Sequence, residues 1–124
     1  QLADDYEDFS IETTLASRSY IKFIKECQAK GYVVILIFFY LDSWEQARQR
    51  VEQRVSEGGH DIPEMDIERR YYRGIKNLTE YIETVDNWYV YDNSKGKHLP
   101  IAKRVGKNEI IANFEKWKKI TSNE

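Results

Sequence analysis

The 124-residue chain has a single cysteine, two prolines and no long run of apolar residues. Because Cys27 has no partner, the chain cannot carry an intrachain disulfide framework, and we predict a reducing, cytoplasmic location. The longest apolar stretch, residues 32–41, is about half as long as a helix that crosses a bilayer, so no membrane span is predicted. A recognisable signal peptide is also missing.

An excess of charge of either sign is missing too. Nineteen lysines and arginines stand against 21 acidic residues, giving a net charge of −2, so nothing favours nucleic acid or an acidic membrane as a partner. With 41% hydrophobic and 32% charged residues, the chain can bury a core, and its length allows one domain. The first residue is glutamine instead of methionine, which suggests that further residues precede it.

The signals for strands and helices alternate along the chain, and this order predicts an α/β layered fold. Residues 32–41 are apolar on both faces, as in a strand of a parallel sheet that is covered by helices on both sides. The last helix is predicted to bury Ile110, Phe114 and Trp117. The predicted order is strand 9–13, helix 17–30, strand 32–41, a helix from Ser43 to the glycine pair at 58–59, helix 63–83, strand 88–92, strand 99–105 and helix 108–120.

Three arginines lie on one face of the predicted helix 63–83. At 100° per residue, Arg70 and Arg73 fall within about 100° of Arg69, opposite the apolar positions that pack. One interpretation is a solvated surface, with Asp66 pairing with Arg70 four residues later. The other is an anion clamp, because the planar fork of arginine matches phosphate oxygens and the upstream glycines permit a hinge.

Four stretches of the sequence resemble the zeta-toxin-type P-loop kinases: "FSIETTLASR" (9–18), "YVVILIFFYL" (32–41), "RVSEGGHDIPEMDIERRYYRGIKNL" (54–78) and "WYVYDNS" (88–94). The resemblance implies a three-layer α/β sandwich with a mostly parallel sheet. It implies phosphoryl transfer from ATP or GTP, with Mg²⁺, to a small substrate such as UDP-N-acetylglucosamine. It also implies an antitoxin protein as a partner.

The phosphate-binding loop of this class, GxxxxGK[ST], is absent from the sequence. We therefore expect residues 1–124 to be one partial domain, the later part of a kinase with a helical lid at about 54–83, that is inactive by itself. In the family, the phosphate-loop strand lies between the strand that ends at Glu12 and strand 32–41. Without it, exposed sheet edges are expected to favour self-association.

The resemblance also assigns roles to residues. In the lid, Arg70 and Arg73 are predicted to be catalytic and to stabilise the transferring phosphate. The remaining predicted site residues are Glu12, Thr14, Arg18 and His60 for the substrate and Arg54, Asp92 and Asn93 for the nucleotide, with no metal ligand assigned. The residues alone leave structural roles open as well. Glu12 could be a solvated acid and Thr14 a helix N-cap. His60 could be a packed loop histidine, and the Asp92–Asn93 pair could form a turn.

Two further interpretations remain open. In the first, the chain belongs to a P-loop phosphotransferase with another small-molecule acceptor, and the lid arginines keep their role. In the second, the chain is a non-catalytic interaction module or a remnant of a P-loop protein.

Overall fold

The structure, a computed structural model, describes residues 15–122. In this part of the chain, helices and strands follow the predicted order, with one additional strand before the last helix. The elements are α1 (Ser19–Ala29), β1 (Ile35–Tyr40), α2 (Trp44–Ser56), α3 (Glu64–Thr84), β2 (Asn87–Asp92), β3 (Leu99–Val105), β4 (Asn108–Ile111) and α4 (Phe114–Thr121). The predicted strand 9–13 lies outside the described residues.

The strands form one sheet in the order β1-β2-β3-β4. β1 and β2 are parallel, with Ile35 opposite Asn87 and Tyr40 opposite Asp92, because the helical pair α2–α3 returns the chain to the starting edge. β2, β3 and β4 are antiparallel neighbours, since short turns join them. Of the three described pairings only the first is parallel, whereas the sequence predicted a mostly parallel sheet.

Three of the described helices, α1, α3 and α4, cover one face of the sheet, and α2 packs on α3. Leu36, Phe38 and Tyr40 alternate with exposed neighbours along β1 and pack with apolar residues of α1, α3 and α4 in one main core cluster. At its centre the indoles of Trp88 and Trp117 are stacked, with centroids 5.0 Å apart, and join α4 to β2.

The other face of the sheet is bare within the described part of the chain. Ile35, Ile37 and Phe39 are 50%, 49% and 42% exposed, although the sequence predicted helices on both faces of this strand. The observed fold is therefore mixed α/β, which confirms the predicted class, and it is compatible with an incomplete kinase-like sandwich. The second helical layer is not among the described elements.

The predicted helix 108–120 is wrong in its first half. Gly106, with a φ of 63°, turns the chain and lets Asn108–Ile111 pair with β3 as a strand. The helix begins only after Asn113, whose side chain accepts a hydrogen bond from the Lys116 backbone N–H. Trp117 is buried as predicted, but Ile110 and Phe114 are 54% and 65% exposed.

Other local predictions are confirmed. The Ser43 hydroxyl caps α2 by accepting from the Gln46 N–H, and Gly31 follows α1 with a φ of 94°. Pro63 immediately precedes α3. None of the helices in the range 15–122 is both long and apolar enough to traverse a lipid bilayer.

Candidate functional site at the carboxyl ends of the strands

The parallel strands β1 and β2 end side by side, at an edge where α/β proteins commonly bind ligands. Asp92 closes β2 and is only 4% exposed, whereas Asp42 follows β1 and is exposed. The Lys116 ammonium of α4 bridges them: it donates to Asp42 Oδ1 at 3.0 Å and to Asp92 Oδ2. One lysine thus fixes the ends of both strands to the last helix.

The pKa values of this bridge shift in the directions that favour charge on both partners. Burial raises the pKa of Asp92, but hydrogen bonds from Lys116 and Ser94 outweigh burial and leave that pKa below its usual value. Burial lowers the pKa of Lys116, and its bonds to the two carboxylates more than reverse this effect, so that the pKa is raised. The carboxylate of Asp92 is therefore engaged in a structural ion pair in this conformation.

A hydrogen bond from Tyr71 fixes the position of α3 along the direction of the strands. The Tyr71 hydroxyl donates to the Leu41 carbonyl oxygen at 2.5 Å, one residue beyond the end of β1. Burial, followed by the proximity of Tyr40, raises the pKa of Tyr71 well above its usual range, so the hydroxyl remains a donor. The seven residues that precede Tyr71 in α3, Glu64 to Arg70, extend about 10 Å past the strand ends at 1.5 Å per residue.

Arg70 and Arg73 flank Tyr71 and therefore lie at the level of the strand ends. Both are exposed, and neither makes a hydrogen bond or ion pair with any of the described residues. The predicted pair between Asp66 and Arg70 is wrong, because Asp66 Oδ1 accepts from Arg69 at 2.7 Å instead. The two guanidinium groups that were predicted to be catalytic are thus unpaired among the described residues.

The first described residues, 15–18, lie against α3 on the side that carries Arg73. The Asn77 side chain, four residues after Arg73, donates to the Leu15 carbonyl oxygen at 2.8 Å, and the Tyr81 hydroxyl donates to the Ser17 carbonyl oxygen. Asn77 is one helical turn below Arg73, so Leu15 lies close to the arginine face. Leu15 directly follows the "ETT" stretch in the sequence.

Arg18, predicted to bind substrate, is held by α3. Its guanidinium forms a two-pronged pair with Glu80, with Nε to Oε1 at 2.6 Å and the second nitrogen to Oε2 at 2.7 Å. This pairing lowers the pKa of Glu80, chiefly through the hydrogen bond from Arg18. Arg18 lies about two turns below Arg73 along α3, farther from the strand ends.

The hinge between α2 and α3 depends on two glycines. Gly58 has a φ of 98°, and a Cβ on Gly59 would lie 2.9 Å from the Arg54 carbonyl oxygen, which accepts from the Gly59 N–H. His60 is exposed in this connection. Arg54 is near the far end of α2, about 16 Å along the helix from Ser43 at 1.5 Å per residue.

The residues predicted to bind nucleotide are therefore not gathered at one point. Asp92 and Asn93 lie at the base of the helical pair and Arg54 lies near its tip. At the base, Arg50 of α2 donates to the Asn93 carbonyl oxygen at 2.5 Å. Glu12 and Thr14 lie outside the described residues. Their predicted roles, and those of the other site residues, remain predictions.

Sequence reasoning missed three residues that build this edge: Lys116, Tyr71 and Asn77. A buried-strand carboxylate such as Asp92 requires a counter-charge, so the apolar run that ends in an acid was a signal for a distant base. Tyr71 was counted only as a core position, and its polar tip was not assigned a partner. Nothing in the local pattern around Asn77 distinguishes it from a surface residue.

The architecture defines a class: an α/β protein in which a helical hairpin with unpaired arginines overhangs the carboxyl ends of parallel strands. Within that class, the chain belongs to the family described as Zeta toxin, whose model matches residues 1–115. The matched range is longer at both ends than the resemblance seen in the sequence, which covers residues 9–94. Membership implies a kinase-like P-loop fold. Comparison with curated proteins and with solved structures returned no match.

Proposed function

We propose that this chain supplies the arginine lid of a phosphotransferase of the zeta-toxin type. The reaction moves the terminal phosphoryl group of ATP or GTP to a small acceptor, for which a nucleotide sugar is the first candidate. Arg70 and Arg73 stabilise the charge on the transferring group. In this proposal an antitoxin protein that covers the nucleotide site is an expected partner, and the residues described here do not catalyse the reaction unaided.

One observation carries the proposal: Arg70 and Arg73, the two arginines of α3 that have no charged partner among the described residues, stand level with the strand ends. The other two arginines beside them are paired with acids, Arg69 with Asp66 and Arg18 with Glu80. Asp66, the acid four residues before Arg70, pairs with Arg69 instead, so Arg70 and Arg73 contact no acid among the described residues. Two unpaired guanidinium groups in one place attract an anion.

The described residues suit the phosphate groups of a nucleotide better than they suit its metal ion. Among residues 15–122, no three His, Cys, Asp or Glu side chains are grouped so that they could hold a cation. Asp42 and Asp92 share Lys116 instead. Mg²⁺ bound with ATP or GTP neutralises charge on the phosphates, and the contribution of this chain is to bind and orient the terminal phosphate through its arginines.

The proposal is tested by a phosphoryl-transfer assay on the full product of the gene. ATP or GTP labelled on the terminal phosphate is incubated with UDP-N-acetylglucosamine and with other small hydroxyl acceptors. We expect label to move from the nucleotide to one of these acceptors in the presence of Mg²⁺. Failure of every acceptor, with nucleotide hydrolysis also absent, would favour a non-catalytic interaction module.

A second prediction concerns residues 1–124 alone. Arginines on a hinged helix hold an anion weakly without a phosphate-binding loop, because the cradle of backbone N–H groups around the phosphates is missing from this sequence. We expect isothermal titration of ATP into the purified 124-residue chain to show no binding in the micromolar range. A dissociation constant of a few micromolar would contradict this account of the site.

A further inference from the structure

One face of α3 carries both the unpaired arginines and the side chains that hold the residues before α1. Five side chains share this face, within about 120° of Arg69 in one direction at 100° per residue: Arg70, Arg73, Asn77, Glu80 and Tyr81. The first two have no charged partner among the described residues, whereas the last three bind residues 15–18. The proposed phosphate ligands and the contacts to this segment therefore belong to one surface of one helix.

The segment before α1 runs along α3 in the direction of the helix. Asn77 Nδ2 donates to the Leu15 carbonyl oxygen at 2.8 Å. One turn later along α3, the Tyr81 hydroxyl donates to the Ser17 carbonyl oxygen at 2.5 Å. Followed backward from Ser17 to Leu15, the segment leads toward Arg73, which lies one turn before Asn77. Of these contacts, the one made by Asn77 is the nearest to the arginines.

The backbone of Leu15 has a conformation that a leucine rarely adopts. Its φ is 60°, and among residues 15–122 no other non-glycine residue has a positive φ. Its side chain is fully buried in the main core cluster, and its carbonyl oxygen is fixed by Asn77. A conformation of this kind persists only where the surroundings impose it, and such positions concentrate at functional sites. Leu15 and Asn77 together set the direction of the chain at this point.

We propose that Asn77 is a positioning residue of the phosphoryl-transfer site. Thr14 is bonded directly to Leu15, so the Asn77 hydrogen bond anchors the "ETT" stretch, with its predicted substrate-binding residues Glu12 and Thr14, to the helix that carries Arg73. The acceptor and the arginine that binds the transferring phosphate are thereby held in a fixed relation. This role rests on the proposed function, because it requires Arg73 to bind that phosphate.

A second hydrogen bond of the same chemistry provides the matched control. Gln28 Nε2 of α1 donates to the Thr84 carbonyl oxygen at 2.7 Å, at the end of α3 that is remote from the arginines. Like the Asn77 bond, it joins a side-chain amide to a backbone carbonyl and is partly buried. Because Gln28 also donates to Asp86 Oδ2 at 3.2 Å, its loss should destabilise the fold at least as much as the loss of Asn77.

Steady-state kinetics of the full gene product test the role of Asn77. Asn77→Ala should lower kcat by about 10- to 100-fold, because a small misplacement of the reacting groups has an effect of this size. The KM for the nucleotide should change by less than about threefold, since the nucleotide is bound by other groups. Gln28→Ala should keep kcat within about twofold of the wild type, although its urea midpoint should fall by an equal or larger amount.

A double-mutant cycle separates positioning from a general loosening of the fold. If Asn77 acts by placing the acceptor relative to Arg73, Asn77→Ala should lower kcat by less than about threefold once Arg73→Ala has been introduced. A wild type that transfers no phosphoryl group, or an Arg73→Ala variant with full kcat, would overturn the proposed function together with this role. If Arg73→Ala lowers kcat but Asn77→Ala does not, if Gln28→Ala is equally harmful, or if the two effects multiply, only the role of Asn77 is overturned.

Discussion

Replacing Arg73 by Ala in the full gene product is expected to lower kcat for phosphoryl transfer by about 10³-fold, because an arginine that stabilises the transferring phosphate contributes on this scale. The free energy of unfolding should hardly change, because the side chain is exposed and forms no ion pair with a described residue. Arg70→Ala should act similarly. Turnover and thermal unfolding of the same preparations measure the two effects.

The control for this experiment is Arg69→Ala on the same helix. Arg69 is exposed and already paired with Asp66 at 2.7 Å, so its loss should cost little turnover. Arg73→Lys keeps the charge but not the planar fork, and we expect intermediate activity. If Arg70→Ala and Arg73→Ala both retain full kcat, or if Arg69→Ala is equally damaging, these arginines belong to a solvated surface and not to a clamp.

Replacing Lys116 by Met is expected to destabilise the fold by about 3 kcal/mol at pH 7, because it leaves the buried Asp92 carboxylate without its counter-charge. The lowered pKa of Asp92 means that the ion pair stabilises the protein above the unfolded-state pKa of this group. That stabilisation is lost as the pH falls through the folded-state pKa. The difference in unfolding free energy between variant and wild type should therefore narrow as the pH falls below the usual range of an aspartate pKa.

Denaturant unfolding at several pH values measures this difference, and Lys118→Met is the matched control. Lys118 is an exposed lysine on the same helix, and its replacement should change the free energy of unfolding by less than about 0.5 kcal/mol. A loss of stability in Lys116→Met that is the same at every pH would show that the lysine stem contributes by packing and not by charge.

The sequence predicted the elements whose signals are local. Leu99–Val105 was predicted with its observed bounds, and the Ser43 cap and the start after Pro63 were also predicted correctly. Each depends on residues within one or two turns of each other. The strand Asn108–Ile111 was missed because its β-branched residues also fit a helical period. Only the turn at Gly106 and pairing with β3 decide between the two.

The part of the candidate site that depends on residue type and helical spacing could be predicted from the sequence. The arginine face of α3 followed from helical spacing, and the structure leaves Arg70 and Arg73 unpaired there. The Lys116 bridge could not be predicted, because it joins residues 24 and 74 positions apart. The choice of Arg69 over Arg70 as the partner of Asp66 depends on side-chain geometry that spacing alone does not fix.

The stacked pair Trp88 and Trp117 also provides a spectroscopic signal in solution for the packing of α4 on the sheet. The two rings come from β2 and α4 and meet only when α4 is docked, while the third tryptophan, Trp44, lies apart on α2. Indole absorption and emission from this pair consequently report on whether the carboxyl-terminal segment is seated, independently of how much helix or strand the chain retains.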